Sequence, residues 1–353
     1  MKSGLDKNFF GLDISDLALR LVKLEKKGKK IILSSYNEVR LPQGVITEGI
    51  IKEKIKLAEA VNKLIKETKG KKINTKNLIT ALPEPKTFIK VIDIPKVPEE
   101  KIKETVEKEI ENHIPLNLDE IYLDWQVFND SPHDEKIKML IGAAPKEVVN
   151  SYLSFFNENK FVPYAFEIEA AAIARSLMNY DSSEDSKIII DFGAVRTGLI
   201  VYDHGAVQLT VSLPISGDKI TDSIKDTLNI DRVKAEKAKI VCGLDKNKCE
   251  GALLKILNAS IEKLATQIKK SINFYQANFP DNNKISEIIL CGGGANFLQI
   301  DQILSEKLSL PVKIGNPMIH VQQTKKSSLP KNKVLSYTTA IGLALRAQQK
   351  KII

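Results

Sequence analysis

The sequence is poor in the residues that disulfide frameworks and metal sites need. Its 353 residues include only three cysteines and four histidines. The cysteines form no CxxC pair and no even-numbered framework, so we expect reduced thiols in a reducing cytoplasm. The histidines are scattered and lack the spacing of metal ligands. These side chains are Cys242, Cys249, Cys291, His113, His133, His204 and His320.

Long apolar runs are also absent. No stretch approaches the roughly 20 consecutive apolar residues that span a bilayer. The opening segment, residues 1–13, has one short apolar stretch followed by an aspartate, which predicts neither a signal peptide nor an anchor. The composition therefore favours a protein that is neither secreted nor membrane-spanning.

Charge is abundant and unbalanced, with a net charge of +9 that comes mainly from lysine. Such an excess is compatible with a nucleic-acid or anionic-membrane partner. We favour an ordinary lysine-rich surface, because lysines alternate with acidic residues along helices, as in residues 101–111. The lysines of 325–333 and 350–351 are exceptions, and we expect them to be exposed and flexible. The few aromatic residues show no RNA-stacking pattern, so no nucleic-acid partner is expected.

Strand and helix patterns alternate along the chain, which predicts an α/β fold. A strand, an aspartate, a tight turn and a returning strand occur at Phe9–Leu24 and again at Ile188–Tyr202. This repeat predicts that the two halves are a diverged duplication. Between them, residues 83–160 have a different pattern of strands and helices, which predicts a small inserted α+β subdomain.

The two repeated hairpins carry the residues that a phosphate site needs. Asp13 precedes a turn with Ser15 and Asp16, and Asp191 precedes Gly193 and Thr197. Backbone N–H groups and hydroxyls in such turns can hold phosphate oxygens, and an aspartate at the strand end can hold Mg²⁺ through water. Ordinary hairpin turns also favour Asp and Gly, so one hairpin alone would be weak evidence.

A third element strengthens the hypothesis. A buried strand ending at Cys291 is followed by Gly292, Gly293 and Gly294, then Asn296 and a predicted helix, Phe297–Leu308. Glycines at this position allow the backbone to approach a ligand near a helix N-terminus. The segment lacks the GxGxxG spacing and the P-loop lysine, and the chain has no GxSxG elbow.

Three motifs in this order resemble those of the actin-like ATPases. They are GLDIS at Gly11–Ser15, DFGAVRT at Asp191–Thr197 and CGGGAN at Cys291–Asn296. They match the two phosphate loops and the adenosine loop of that superfamily. The resemblance implies a two-lobed, duplicated ribonuclease H-like fold that binds ATP or ADP with Mg²⁺, the metal being held through water by Asp13 and Asp191.

The same resemblance implies further site residues. Glu169 stands where the superfamily places the residue that positions the attacking water. Glu236 and Lys239 stand where it contacts ribose and adenine. Arg20 occupies a position where lysine is usual.

Within the superfamily the chain resembles the PilM family of type IV pilus assembly proteins almost end to end. Matching stretches include 115–127, 143–170, 271–278 and 337–346. The insert then corresponds to the subdomain shared with the division protein FtsA. FtsA usually ends in an amphipathic membrane helix, whereas residues 350–353 are too few for one. The expected limits are 1–82 with 161–186 for the first lobe, 83–160 for the insert, 187–217 with 285–353 for the second lobe and 218–284 for its helical subdomain.

The family resemblance implies a cytoplasmic adaptor beneath the inner membrane. Its expected partners are the N-terminal tail of PilN, bound in a groove between the first lobe and the insert, and other pilus platform proteins and assembly ATPases. A homo-oligomer is also expected, with membrane contact only through partners. The activity expected is at most a slow ATPase.

The first phosphate loop departs from the family pattern, because Ser15 replaces a glycine and Asp16 replaces a serine. Two like charges ~4 Å apart repel by about 4 kcal/mol at an effective dielectric of 20, so Asp16 is expected to weaken triphosphate binding. A pseudo-ATPase scaffold, an FtsA-like protein and a filament-forming protein therefore remain alternatives. A small-molecule kinase is a further alternative, but no convincing catalytic aspartate is found.

Overall fold

The computed structural model describes residues 8–111, 117–129, 135–179, 186–279 and 282–348. His113, His133, Pro115 and the terminal lysines at 350 and 351 lie outside these ranges, as does the very start of the chain. In the described part, no helix combines the length and the hydropathy of a bilayer-spanning segment.

Strands and helices alternate along the described chain, as expected for an α/β protein. The strands are β1 (Phe10–Ile14), β2 (Ala18–Lys27), β3 (Lys30–Arg40), β4 (Ile46–Thr47), β5 (Ile50–Ile51), β6 (Lys69–Gly70), β7 (Asn77–Leu82), β8 (Phe88–Pro95), β9 (Ile121–Asn129), β10 (Lys136–Pro145), β11 (Val162–Ile168), β12 (Ser186–Phe192), β13 (Thr197–Asp203), β14 (Ala206–Leu213), β15 (Ile285–Cys291) and β16 (Val312–Ile314). The helices are α1 (Lys54–Lys66), α2 (Glu99–Ile110), α3 (Lys146–Glu158), α4 (Glu169–Leu177), α5 (Gly217–Leu228), α6 (Arg232–Cys242), α7 (Ala252–Asn278), α8 (Ile300–Leu308) and α9 (Thr338–Arg346).

Two mixed sheets repeat one arrangement. In the first, ordered β11-β7-β1-β2-β3-β6, the central strand β1 pairs antiparallel with β2 and parallel with β7. In the second, ordered β14-β13-β12-β15-β16, the central strand β12 pairs antiparallel with β13 and parallel with β15. The predicted duplication is therefore confirmed at the level of strand order and direction.

The cores explain why these segments fold as they do. All five residues of β1 are buried, and Ile188, Ile189 and Ile190 of β12 are fully buried. A continuous apolar strand is typical of a parallel sheet that is covered on both faces. In α7, apolar residues at spacings of three and four form one buried stripe, which confirms the predicted long helix.

The insert has its own three-stranded antiparallel sheet, in the order β8-β10-β9, covered by α2. The last helix predicted for the insert, α3, does not pack into this core. Tyr152, Phe155 and Phe156 of α3 pack into the core of the first lobe with Phe10 and Leu12. The apolar core of the insert thus ends before α3, while the domain limits themselves remain a prediction.

Helices α4 and α9 pack against each other at the junction of the lobes. Gly342 of α9 lies so close to α4 that an added Cβ would be 1.8 Å from the carbonyl oxygen of Ala172. The buried carboxylate of Glu167 accepts two hydrogen bonds from Arg175, at 2.6 and 2.7 Å, and a third from Arg346. This charged cluster fixes α4 and α9 to the end of β11.

One expectation about the cysteines is wrong. The structure pairs Cys242 with Cys249 in a disulfide, whose Cα atoms lie 5.9 Å apart. Cys242 ends α6, and the loop after it returns within seven residues, which brings the second thiol alongside without any CxxC pattern. Among the described cysteines Cys291 is a free and buried thiol.

The close approach of α4 and α9 makes Gly342→Ala informative. In an exposed helix interior, alanine is about 0.5–1 kcal/mol more favourable than glycine. At position 342 the methyl group would overlap the backbone of Ala172. We therefore expect the opposite sign, a loss of about 2–3 kcal/mol in the free energy of unfolding, measured by urea titration. Unchanged or increased stability would contradict the packing described here.

Candidate functional site

Three carboxylates meet in the cleft between the lobes. Asp13 lies near the end of β1, Asp191 near the end of β12, and Glu169 in the first turn of α4. The sequence places these residues far apart, but the two central strands point their carboxyl ends at the same cleft. The three charges are close enough for Glu169 to raise the pKa of both aspartates. The structure thus brings together the predicted metal-holding pair and the predicted water-positioning residue.

Burial dominates the electrostatics of the two aspartates. It raises the pKa of Asp13 to about 6, against the opposing charge of Arg20. Burial also raises the pKa of Asp191 to about 7, with further contributions from the charges of Glu169 and Asp13. A cation placed between these groups would relieve both the desolvation and the repulsion.

Arg20 forms an ion pair with Asp13. Its guanidinium lies 3.3 Å from the Asp13 carboxylate and 2.9 Å from Glu38 on β3. Lys333, in the segment before α9, in turn lies 2.8 Å from Glu38. This chain of alternating charges holds Asp13 in place. The sequence analysis did not identify Glu38 and Lys333 as site residues, because only the folded sheet brings positions 20, 38 and 333 together.

Arg196 spans the cleft from the second hairpin. It lies 3.3 Å from Glu84, just after β7, and 3.2 Å from Glu169 on α4. Burial raises the pKa of Glu84. Together with Asp191, these three side chains line one pocket. Glu84 was missed, although its position directly after a buried strand could have suggested it.

The first predicted phosphate loop is a tight turn with an unexpected use of Asp16. The Ser15 hydroxyl donates to the carbonyl of Ala18 at 2.9 Å. The Asp16 carboxylate accepts from the amides of Glu48 and Gly49, both at 3.0 Å, in the turn between β4 and β5. Both oxygens of Asp16 are therefore engaged with a neighbouring turn.

That neighbouring turn is held from a second side. Tyr152 of α3 donates its hydroxyl to the Gly49 carbonyl at 2.9 Å. Glu48 and Gly49 both have positive φ, at 49° and 75°. The carboxylate of Asp16 thus stabilises a turn conformation that L residues such as Glu48 rarely adopt.

The second predicted phosphate loop is compact. The amide of Gly217 donates to the Gly193 carbonyl at 3.0 Å, and that of Asp218 donates to Ala194 at 2.8 Å. An added Cβ at Gly193 would lie 2.6 Å from the carbonyl of Arg196, so glycine is needed there. In the described structure the Thr197 hydroxyl is buried and has no hydrogen-bond partner within the protein.

The glycine triplet packs directly on this loop. Gly292 has a φ of +79°, and an added Cβ would lie 2.4 Å from the Asp191 carboxylate. At Gly294 the Cβ would lie 2.6 Å from the ring of Phe192. The triplet continues as a 3₁₀ turn, Gly293–Asn296, in which Asn296 donates to the Gly293 carbonyl at 3.2 Å. The following helix therefore begins at Ile300 and not at the predicted Phe297.

Glu236 and Lys239 are joined to the second phosphate loop. Glu236 lies 2.7 Å from the Lys239 ammonium and accepts from the Thr221 hydroxyl at 2.6 Å. Lys239 also donates to the carbonyl of Gly217, at 3.1 Å. Since the amide of Gly217 is hydrogen-bonded to the carbonyl of Gly193, the residues predicted to contact ribose and adenine lie beside the phosphate loop.

These residues fit a magnesium nucleotide. No group of three His, Cys, Asp or Glu side chains in the described chain is arranged to chelate a metal directly. Asp13 and Asp191 instead offer negative charge to a hydrated cation, which is how Mg²⁺ usually binds. Gly193, Gly292 and Gly294 allow the second phosphate loop and the glycine triplet to pack closely around Asp191 and Phe192, which keeps both segments at this end of the cleft.

The raised pKa of Asp191 predicts that its charge destabilises the metal-free protein. The folded state retains its proton up to about pH 7, while the unfolded state loses it near 3.8. Stability should therefore fall as pH rises between these values. We expect Asp191→Asn to raise the free energy of unfolding at pH 8 by on the order of 2 kcal/mol, and little at pH 4, in denaturant titrations with a chelator.

A matched control is Asp203→Asn. Asp203 is fully buried, whereas Asp191 is partly buried, and the carboxylate of Asp203 accepts from the Tyr275 hydroxyl at 2.7 Å and from Asn283 at 2.8 and 2.9 Å. Its replacement should destabilise the protein, because these bonds are lost. A loss of stability in Asp191→Asn at pH 8 would show that the charge of Asp191 is compensated in the metal-free protein.

Comparison with known proteins agrees with this geometry. The profile of a family described as type IV pilus assembly protein PilM matches residues 11–348. The cell division protein FtsA of Pseudomonas aeruginosa is 24% identical over 207 residues, which are 52% of this chain and 47% of the relative. The chain spans about half the length of the curated relatives it matches.

Solved structures show the fold. A PilM–PilN type IV pilus biogenesis complex matches with a TM-score of 0.83 at 23% identity, over 97% of this chain and 99% of that one. MreB5 of Spiroplasma citri bound to AMPPNP matches with a TM-score of 0.56 at 15% identity, over 96% of each chain. The predicted actin-like fold class is confirmed.

Proposed function

The chain belongs to the PilM family of type IV pilus assembly proteins, and we propose that it is a nucleotide-binding adaptor of the pilus assembly platform at the inner membrane. Its cleft would bind Mg·ATP or Mg·ADP, and a surface beside the insert would bind the N-terminal tail of PilN. The observation that carries the nucleotide half is the pair of aspartates at the strand ends, Asp13 buried and Asp191 partly buried, whose charge is only partly compensated.

Each part of the cleft has a role in this proposal. Asp13 and Asp191 would hold the hydrated Mg²⁺, which neutralises phosphate charge when bound. Thr197 and the backbone around Gly193 would contact phosphate oxygens, and Gly292 to Gly294 would border the nucleoside. Support comes from MreB5, an actin-like protein of similar fold whose solved structures contain ADP and AMPPNP.

The arrangement favours binding over turnover. The carboxylate of Glu169, the predicted water-positioning group, is shared between Arg196 at 3.2 Å and the Thr339 hydroxyl at 3.4 Å. A carboxylate held by an ion pair is a weak base for activating water. We therefore propose at most slow hydrolysis, with the nucleotide acting mainly to hold the lobes together.

The charge of the cleft predicts a strict metal requirement. The carboxylates of Asp13, Asp191, Glu84, Glu169 and Glu38 outnumber the guanidinium groups of Arg20 and Arg196 there, so a free triphosphate would be repelled. By isothermal calorimetry we expect Mg·ATP to bind and ATP with excess chelator to bind at least about 10-fold more weakly. Asp191→Asn should likewise weaken Mg·ATP binding by about 10-fold or more. Equal binding with and without Mg²⁺ would contradict the proposed roles of both aspartates.

The same titration tests Asp16. The sequence alone suggests that Asp16→Ser would remove a repulsive charge and tighten binding. Since both oxygens of Asp16 accept bonds from the turn at Glu48 and Gly49, we expect no tightening. A variant that binds Mg·ATP more than about threefold more tightly would place Asp16 beside the phosphates after all.

The tail-binding half of the proposal rests on exposed apolar side chains around α3. Leu153 on α3, Tyr122 on β9 and Ile50 on β5 are all at least 37% exposed. Strand β9 is also an edge of the insert sheet, so its outer backbone groups can pair with an extended peptide. These features lie between the first lobe and the insert, where the family resemblance places the PilN groove.

A synthetic peptide of the PilN tail tests this surface. We expect it to bind the full chain in fluorescence anisotropy, and Leu153→Glu to weaken binding by about 10-fold or more, since a charge replaces an apolar contact. The control is Val233→Glu, which changes an even more exposed apolar residue on α6 of the second lobe. Failure of the peptide to bind with or without nucleotide would overturn the adaptor proposal.

A further inference from the structure

The folded chain concentrates its excess positive charge on one face of the first lobe. Three segments that are distant in sequence meet there: the tip of the β2–β3 hairpin, the residues around β6, and a short turn at 324–327. We call these residues the basic face, and its nine lysines are Lys26, Lys27, Lys29, Lys30, Lys69, Lys71, Lys72, Lys325 and Lys326, all exposed.

Specific contacts bring the three segments together. The Lys71 amide donates to the Ser34 carbonyl of β3 at 3.1 Å, and the Lys71 ammonium lies 2.6 Å from Glu25 of β2. Gly70 lies so close to the third segment that an added Cβ would be 3.3 Å from the Ser327 hydroxyl. The amide of Leu33 in turn donates to the carbonyl of Gln322 at 2.9 Å.

The charge of this face is largely uncompensated. Residues 25–30, 69–72 and 325–326 contain one acidic residue, Glu25, which forms an ion pair with Lys71. In the described structure Lys26, Lys27, Lys29, Lys30, Lys72, Lys325 and Lys326 form no ion pair. The chain as a whole carries a net charge of +9, so this one face holds nearly all of the excess.

The composition of the face distinguishes between anionic partners. It contains no arginine, whose planar fork suits site-specific phosphate binding, and its one nearby ring, Tyr36, is buried beneath Lys69. Single-stranded nucleic acids need exposed rings for stacking, and these are missing here. Flexible, strongly hydrated lysines suit a diffuse negative surface such as the headgroups of an anionic bilayer.

We propose that the basic face binds the surface of an anionic lipid bilayer directly. This goes beyond the proposed function, in which partners alone bring the chain to the membrane. It also replaces the interpretation of the lysine excess as an ordinary solvated surface. Neither the nucleotide nor the PilN tail is needed for this contact.

The test is co-sedimentation of the full chain with vesicles of phosphatidylcholine, with and without about one third phosphatidylglycerol. We expect binding to the anionic vesicles at about 0.1 M salt, little binding to the neutral ones, and loss at about 0.5 M salt. Each lysine near such a surface contributes about fivefold, so replacing Lys26, Lys27, Lys29 and Lys30 by glutamine should weaken binding by about 600-fold.

A charge-matched control separates the face from the bulk charge. It replaces Lys255, Lys263, Lys269 and Lys270, which are exposed on α7 of the second lobe, by glutamine. This variant should bind vesicles as the wild type does, and thermal melts should show that both variants fold.

Three results would overturn the proposal. They are no binding of wild type to anionic vesicles at low salt, equal losses in the two variants, and tighter binding to duplex DNA than to vesicles at the same salt. Because the assay contains no nucleotide and no peptide, its failure leaves the proposed function untouched, and failure of the nucleotide or peptide titrations leaves this inference untouched.

Discussion

Two aspartates at the ends of the two central strands, the buried Asp13 and the partly buried Asp191, have too little positive charge around them to match their own. Arg20 compensates Asp13 in part, while Asp191 has the more distant Arg196 and a thiol 3.7 Å away. A cost of this kind is typical of functional sites, where stability is given up for binding. The hydrated cation and phosphates of the proposed ligand would remove this cost.

The surrounding structure holds this unfavourable arrangement in place. The two sheets fix the strand ends, and the buried cluster of Glu167, Arg175 and Arg346 locks the helices between them. Gly292 and Gly342 allow backbone to approach where no side chain would fit. The first phosphate loop is also linked to α3, because Asp16 of the loop and Tyr152 of α3 both form hydrogen bonds with Gly49 in the same turn.

The surface divides into regions with different physical character. Apolar side chains and a free strand edge flank α3, which suits an extended peptide. On another part of the first lobe, lysines are gathered without arginine or exposed rings, which suits a diffuse anionic surface. An adaptor with these two surfaces and a nucleotide cleft could respond to a partner, a membrane and a ligand through separate contacts.

Local sequence determined much of this protein. The alternation of apolar segments predicted the strands and the long helix, since periodicity follows from which face is buried. The repeated aspartate hairpins and the glycine triplet predicted the duplication and the residues that meet in the cleft. Helix ends were less accurate, as at Ile300, because a 3₁₀ turn and a left-handed residue precede that helix.

Only the tertiary structure decided which groups are neighbours. It turned Asp16 away to the turn at Glu48, added Glu84 and Glu38 to the site, paired Cys242 with Cys249, and gathered three lysine segments into one face. Apart from the disulfide, which closes a seven-residue loop, these contacts have no local signature, because each joins residues through the packing of separate elements. The sequence thus determined the two aspartates at the strand ends, and the fold decided which charges oppose them.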